Sequence, residues 1–107
     1  MKSNRKNLRA AVELSCMPIN AGKIQKGRNA VLELDCKWVL GNIEEIAKNC
    51  LNLKDYWEYR RLLELCELLD ASLTKRIAQW GLCSDDPDIH EASEDFINNG
   101  TEQKNSS

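Results

Sequence analysis

Cysteine and histidine are the side chains most ready to act as nucleophile, base or metal ligand, and this chain has five of the first and one of the second. Cys16, Cys36, Cys50, Cys66 and Cys83 stand 20, 14, 16 and 17 residues apart. There is no Cys-x-x-Cys pair, and His90 is the lone histidine, so zinc-ligand spacing is missing. Cys83 and His90 are seven residues apart with Pro87 between them, and a nucleophile–base pair would need tertiary proximity to bring them together. Paired acids such as Glu64 and Glu67, or Glu91 and Asp95, share helix faces, as surface carboxylates routinely do. No glycine-rich phosphate loop, metal-binding helix motif or GxSxG elbow is present. The expectation is a chain without catalytic residues, metal or cofactor. Cys50 and Cys66 sit among Ala47, Leu51, Leu62 and Leu69, the company of reduced thiols that pack as small hydrophobes.

Recognition chemistry is better represented. Tyr56, Trp57 and Tyr59 cluster just before Arg60 and Arg61. On one helix, Trp57 is three and four residues from these arginines and shares a face with them. If Tyr56, Tyr59, Leu63 and Cys66 form the buried stripe, Trp57 points to a boundary or outward. It then either packs on a neighbouring helix or stands as an interface anchor, a role in which Trp and Arg predominate. Asp88, Glu91 and Asp95 form a second candidate contact face. These six residues are the candidate partner-binding set, with another protein as the partner.

Charge is strongly segregated. Residues 1–28 carry Lys2, Arg5, Lys6, Arg9, Lys23, Lys26 and Arg28 against Glu13, whereas residues 84–107 carry seven acids against Lys104. Either end can steer a partner of opposite sign. The basic segment also suggests nucleic acid, but no aromatic is interleaved with it for stacking. Leu73 to Leu82 resembles the first helix and turn of a helix-turn-helix. Ala78 and Gly81 are three apart where that motif has four, and the would-be recognition helix holds Asp86, Asp88, Glu91, Glu94 and Asp95 without a Lys or Arg. A nucleic-acid-binding module is therefore the second reading, and phosphate repulsion weighs against it.

The elements that must position these residues read as helices. Leu8, Ala11, Val12 and Ser15 share one face of a first segment that Pro18 closes. Asn20 caps a second segment with Ile24, Gly27, Val31 and Leu34, where Gly27 either weakens the helix or admits a close neighbour. Asp35 caps a third with Val39, Ile43, Ile46, Ala47 and Cys50, and Glu44 and Lys48 are spaced as an i, i+4 pair on its wet side. The second and third segments can also be drawn as one bent helix, and Ala30 to Leu34 can pass for a short strand. Asp55 caps the strongest helix, with Tyr56, Tyr59, Leu62, Leu63, Cys66 and Leu69 on one face and Glu58, Arg61, Glu64 and Glu67 on the other. Ser72 caps a fifth segment, with Gly81 as a left-handed residue near its end. Ser84-Asp85-Asp86-Pro87 opens a sixth, which Asn98-Asn99-Gly100 stops. The fold class is all-α: about six short helices in antiparallel hairpins near 5–33, 36–69 and 72–98, as a short superhelix or a compact bundle.

Residues 82–96, from Leu82-Cys83-Ser84-Asp85-Asp86-Pro87 to Phe96, resemble the junction and second helix of a HEAT-type repeat. There an acidic-proline turn precedes an apolar–x–x–Ala helix. The resemblance covers about 15 of the 107 residues, with His90 where a basic residue is common. It implies an α-α superhelix whose surface binds another protein, and adaptors and immunity proteins are class analogies. Composition agrees with one folded domain over 1–100 and a disordered polar tail over 101–107. With 42% hydrophobic residues there is enough apolar surface to offset ordering entropy, and 5 Gly with 2 Pro exclude fibrous chains. No apolar run approaches the ~18–20 residues a bilayer requires. Arg9 and Glu13 interrupt Leu8 to Leu14, so no signal-peptide core is expected, and the setting is read as cytoplasmic. Self-association into a homodimer stays open, because three hairpins bury a limited core.

Overall fold

Short polar side chains start the helices by accepting from amides that the helical ladder leaves without partners. Asn4 accepts from the Asn7 N–H at 2.8 Å, Asn20 from Lys23 at 3.1 Å and Asp35 from Trp38 at 3.0 Å. Asp55 accepts from Trp57 and Glu58, and Asp70 from Leu73 at 2.9 Å. The computed structural model describes the backbone of residues 4–105 and the side chains of residues 4–97. Its elements are α1 (Arg5–Ser15), α2 (Ala21–Leu32), α3 (Cys36–Cys50), α4 (Tyr56–Leu69), α5 (Ala71–Leu82) and α6 (Pro87–Asn105), with no strand among the described residues. The all-α expectation is met, and α2 and α3 are separate helices. No helix among the described residues is long and apolar enough to cross a membrane.

Packing follows the apolar faces. In α1 and α2 the buried residues are Leu8, Ala11, Val12 and Ser15 against Ile24, Gly27 and Val31. Gly27 takes the close-approach role. A Cβ there would lie 2.5 Å from the Ser15 nitrogen and 2.8 Å from the Ala11 carbonyl oxygen, so only glycine lets the two backbones meet. The helix α4 is central, with Tyr59, Leu62, Leu63, Leu65 and Cys66 all buried. It packs on α5 and α6 and also touches α1 and α3. Leu65, outside the expected stripe, is buried as well, as befits a helix with four neighbours. The Cα radius of gyration, 13.5 Å, is close to the ~13 Å of a compact domain this long.

Several expectations change. The middle hairpin is not a tight pair: α3 leans chiefly on α1 and meets α4 only sparsely, so the compact bundle describes the packing. Glu44 and Lys48 do not pair along α3; both reach α5. The Arg76 guanidinium meets Glu44 Oε1 at 3.3 Å, and the Lys48 ammonium lies 4.7 Å from the Trp80 ring centre. Asp70, not Ser72, caps α5, and it also ends α4, so one extended residue makes the whole turn. Gly81 lies inside α5 and no described glycine has a positive φ, so it is not a left-handed cap. For the same reason Asn98-Asn99-Gly100 does not stop α6, which continues to Asn105. Residues 106–107, the end of the expected disordered tail, lie outside the described residues.

Candidate partner-binding face

Helix α4 presents two faces of opposite character. Tyr59, Leu62 and Leu63 are at most 1% exposed, whereas Trp57 is 48% exposed. The Trp57 side chain points outward. Its ring meets Tyr56 edge-on, with centroids 5.1 Å apart and planes at 84°. The Arg61 guanidinium lies 5.4 Å from the Trp57 ring centre, the i, i+4 neighbour that the spacing calls for. Arg60 turns elsewhere. It lies over Phe96 at 5.3 Å and Tyr56 at 5.9 Å and donates to Asp95 Oδ2 at 3.1 Å. Burial works against the Arg60 charge, but the hydrogen bonds to Asp95 and Tyr56 outweigh it and raise its pKa.

An arginine from a third helix joins this face. Arg28 Nη2 of α2 meets Glu64 Oε1 at 2.6 Å, and Arg61 Nη1 meets the same oxygen at 2.9 Å. Arg60 Nε is 3.8 Å from the other oxygen. Three guanidinium groups thus surround one carboxylate, and the cluster of these three arginines with Glu64 and Asp95 carries one net positive charge. The Nε atoms of Arg28 and Arg61 are buried with no hydrogen-bond partner among the described residues. Spacing places Glu64 on a charged helix face beside Glu67, and a pair 36 positions apart leaves no local signal.

The acidic candidates divide. Asp95 is bound to Arg60, so it ties α6 to α4 and brings the two candidate faces together. Asp88 and Glu91 are exposed on α6. The imidazole of His90 lies 3.6 Å from Glu94 on its own helix, an exposed i, i+4 pair. Among the cysteines, Cys16 and Cys66 are buried, Cys50 is half-buried, and Cys36 and Cys83 are exposed. The core-thiol expectation therefore holds for Cys66 and in part for Cys50. Burial pushes the Cys66 thiol up to about 12 and raises those of Cys16 and Cys50.

The arginines of residues 4–28 are engaged, whereas the lysines are not seen in an ion pair among the described residues. Arg5 pairs with Glu45 at 3.1 Å and donates to Asn42, while Arg9 lies 3.6 Å from Glu13. Lys6, Lys23 and Lys26 are exposed, and Lys2 lies outside the described residues. Comparison with protein-family models, with curated proteins and with solved structures finds no match to this chain.

Proposed function

We propose that this protein is a small non-enzymatic protein–protein interaction module, binding another protein through the outer face of α4 around Trp57. One observation carries the reading: a half-exposed tryptophan held between Tyr56 and Arg61 on a helix whose third aromatic, Tyr59, is fully buried. A fixed ring binds with little further loss of rotamer freedom, so its burial converts more fully into affinity. Arg60 and Arg61 supply the adjoining charge, and Asp95 links this patch to Asp88 and Glu91 of α6. The HEAT-like stretch, residues 82–96, covers the α5–α6 turn and the first part of α6, and α6 packs closely on α5. We take the cytoplasm as the setting, where five free thiols stay reduced. The nucleic-acid alternative draws less support, because Arg5 and Arg9 are already paired with acids.

The test is a tagged pull-down at low and high salt, followed by Trp57→Ala against the protein recovered. The variant should keep its helical circular dichroism and lose at least about tenfold in affinity, the scale of an interface anchor. Melting of the variant would make Trp57 a core residue and remove the proposal. Recovery of nucleic acid that leaves at high salt would replace it with the basic-segment reading.

A further inference from the structure

Beside Trp57, the turn between α1 and α2 and the arginines of α2 and α4 enclose an open pocket of about 470 Å³. Its walls include Ile19, Ile24, Arg28 and Arg61. Three features set it apart from an ordinary surface hollow. First, Ile19 is 81% exposed, a branched apolar side chain left in water at the rim. Second, Asn20 at the rim adopts φ 92°, in the left-handed region that asparagine tolerates better than most side chains, while capping α2. Third, Arg28 and Arg61, both wall residues, bond to the same oxygen of Glu64. Two cations therefore share one anion at a site where all three side chains are only about a quarter exposed. The unpartnered Nε groups record the same shortage of acceptors.

We infer that this pocket seats a carboxylate side chain of the partner protein, an Asp or Glu flanked by an apolar residue. The inference rests on the interaction reading above and extends it from the Trp57 face to the chemistry of the partner. An incoming carboxylate restores charge balance to the Arg28–Glu64–Arg61 group, where partial exclusion of water strengthens the attraction. Ile19 and Ile24, both wall residues, cover the apolar neighbour. The planar guanidinium groups suit a carboxylate because each offers parallel N–H donors beyond those already spent on Glu64. Lys23 and Lys26, exposed on α2, add long-range attraction for an acidic segment.

The test uses the full chain in heteronuclear NMR, reading the side-chain Nε–H resonances of Arg28 and Arg61. Three probes are titrated: acetyl-Leu-Glu-Glu-Leu-amide, its Gln-Gln counterpart and single-stranded oligo-dT. The Glu peptide should shift both resonances and the Gln peptide should not. Ile19→Ser, at a site too exposed to matter for folding, should weaken the Glu peptide by about fivefold. Glu64→Gln should tighten it by about threefold or more, because the competing anion is gone; a purely structural Glu64 would not produce that gain. Equal shifts with both peptides, no shift with either, or an unchanged affinity in Glu64→Gln would overturn the inference. Stronger shifts with oligo-dT than with the Glu peptide would overturn it in favour of a phosphate site. If the peptide arm fails while Trp57→Ala still releases the partner, the carboxylate seat falls and the interaction reading stands.

Discussion

The Tyr59 hydroxyl joins Ile77 to Gly81 across one turn of α5: it donates to the Ile77 carbonyl at 2.6 Å and accepts from the Gly81 N–H at 3.0 Å. Those two groups are the acceptor and donor that an α-helix pairs with each other, so a side chain of α4 is stitched into the ladder of α5. Ser93 of α6 lies 2.9 Å from the same oxygen. The single tyrosine proton is committed to Ile77, so Ser93 donates, and the hydroxyl is fully used. Three helices thereby meet at one buried atom. Tyr59→Phe leaves the Ser93 hydroxyl and the Ile77 and Gly81 groups short of a partner in the core and should cost about 1–3 kcal/mol. Urea denaturation of the variant checks this, and an unchanged midpoint would show that the α5 ladder closes on its own.

Gly81 is small for the same reason. A Cβ at this position would overlap Ser93 Oγ and lie 2.7 Å from the Tyr59 hydroxyl oxygen. Gly81→Ala should destabilise by about 3 kcal/mol, the upper end for overpacking, despite the better helix propensity of alanine. Adding Ser93→Ala removes the nearest atom, so the double variant should be less destabilised than the sum of the singles. A double-mutant cycle reads that coupling, and strict additivity would place the strain elsewhere.

Gly27 and Gly41 make a matched pair of opposite sign. Gly27 has the backbone of α1 against it, whereas a Cβ at Gly41 would meet nothing within 4 Å. Gly27→Ala should force α1 and α2 apart and lower the melting temperature, by about 4–8 °C for each 1 kcal/mol lost. Gly41→Ala should raise stability by about 0.5–1 kcal/mol, because it only removes backbone freedom from the unfolded chain. Thermal melts of the two variants side by side decide it. A destabilised Gly41→Ala would mean that the outer face of α3 is covered.

These glycines also mark where reading the chain stops. Caps at Asn20, Asp35 and Asp55 and the stripes of α1, α3 and α4 were legible because each depends on residues three or four positions apart. Gly81 was read as a left-handed cap because its reason for being small stands twelve residues later, on Ser93. Leu65 was missed because a central helix buries more than one stripe. At the candidate site, the Trp57–Arg61 stack was visible in the i, i+4 spacing. The Arg28–Glu64 bond and the exposed Ile19 beside it were not, since they bring together side chains of α2, the α1–α2 turn and α4 that lie far apart in the chain.

Thiol chemistry sorts the five cysteines by burial. Cys36 and Cys83 are exposed, Cys50 is half-buried, and Cys16 and Cys66 are enclosed with raised pKa values. A disulfide reagent at pH 8 should modify Cys36 and Cys83 quickly and Cys50 more slowly, while Cys16 and Cys66 react only through unfolding. Mass spectrometry of the labelled protein over time gives the order. Fast labelling of Cys66 in folded protein would contradict the packing of α4.

Alkaline pH should destabilise the fold, and Cys66 should carry part of the effect. In the folded protein burial holds the Cys66 proton up to about 12, whereas in the unfolded chain the thiol releases it near the ordinary value of 9. Between these values the folded state binds more protons than the unfolded state, so stability falls as pH rises. The contribution is complete below pH 9 and lost progressively above it, at up to about 1.4 kcal/mol per pH unit for each retained proton. Cys16 acts in the same direction, and Tyr59, whose pKa burial raises, adds to the loss above pH 10. Melting temperatures measured from pH 8 upward should therefore decline more steeply in the parent protein than in Cys66→Ala. That variant starts lower, because it leaves a small void among Leu62, Leu63 and Leu65, but it has one titrating group fewer. Parallel declines would show that Cys66 ionises alike in both states and that its enclosure is looser than the packing of α4 implies.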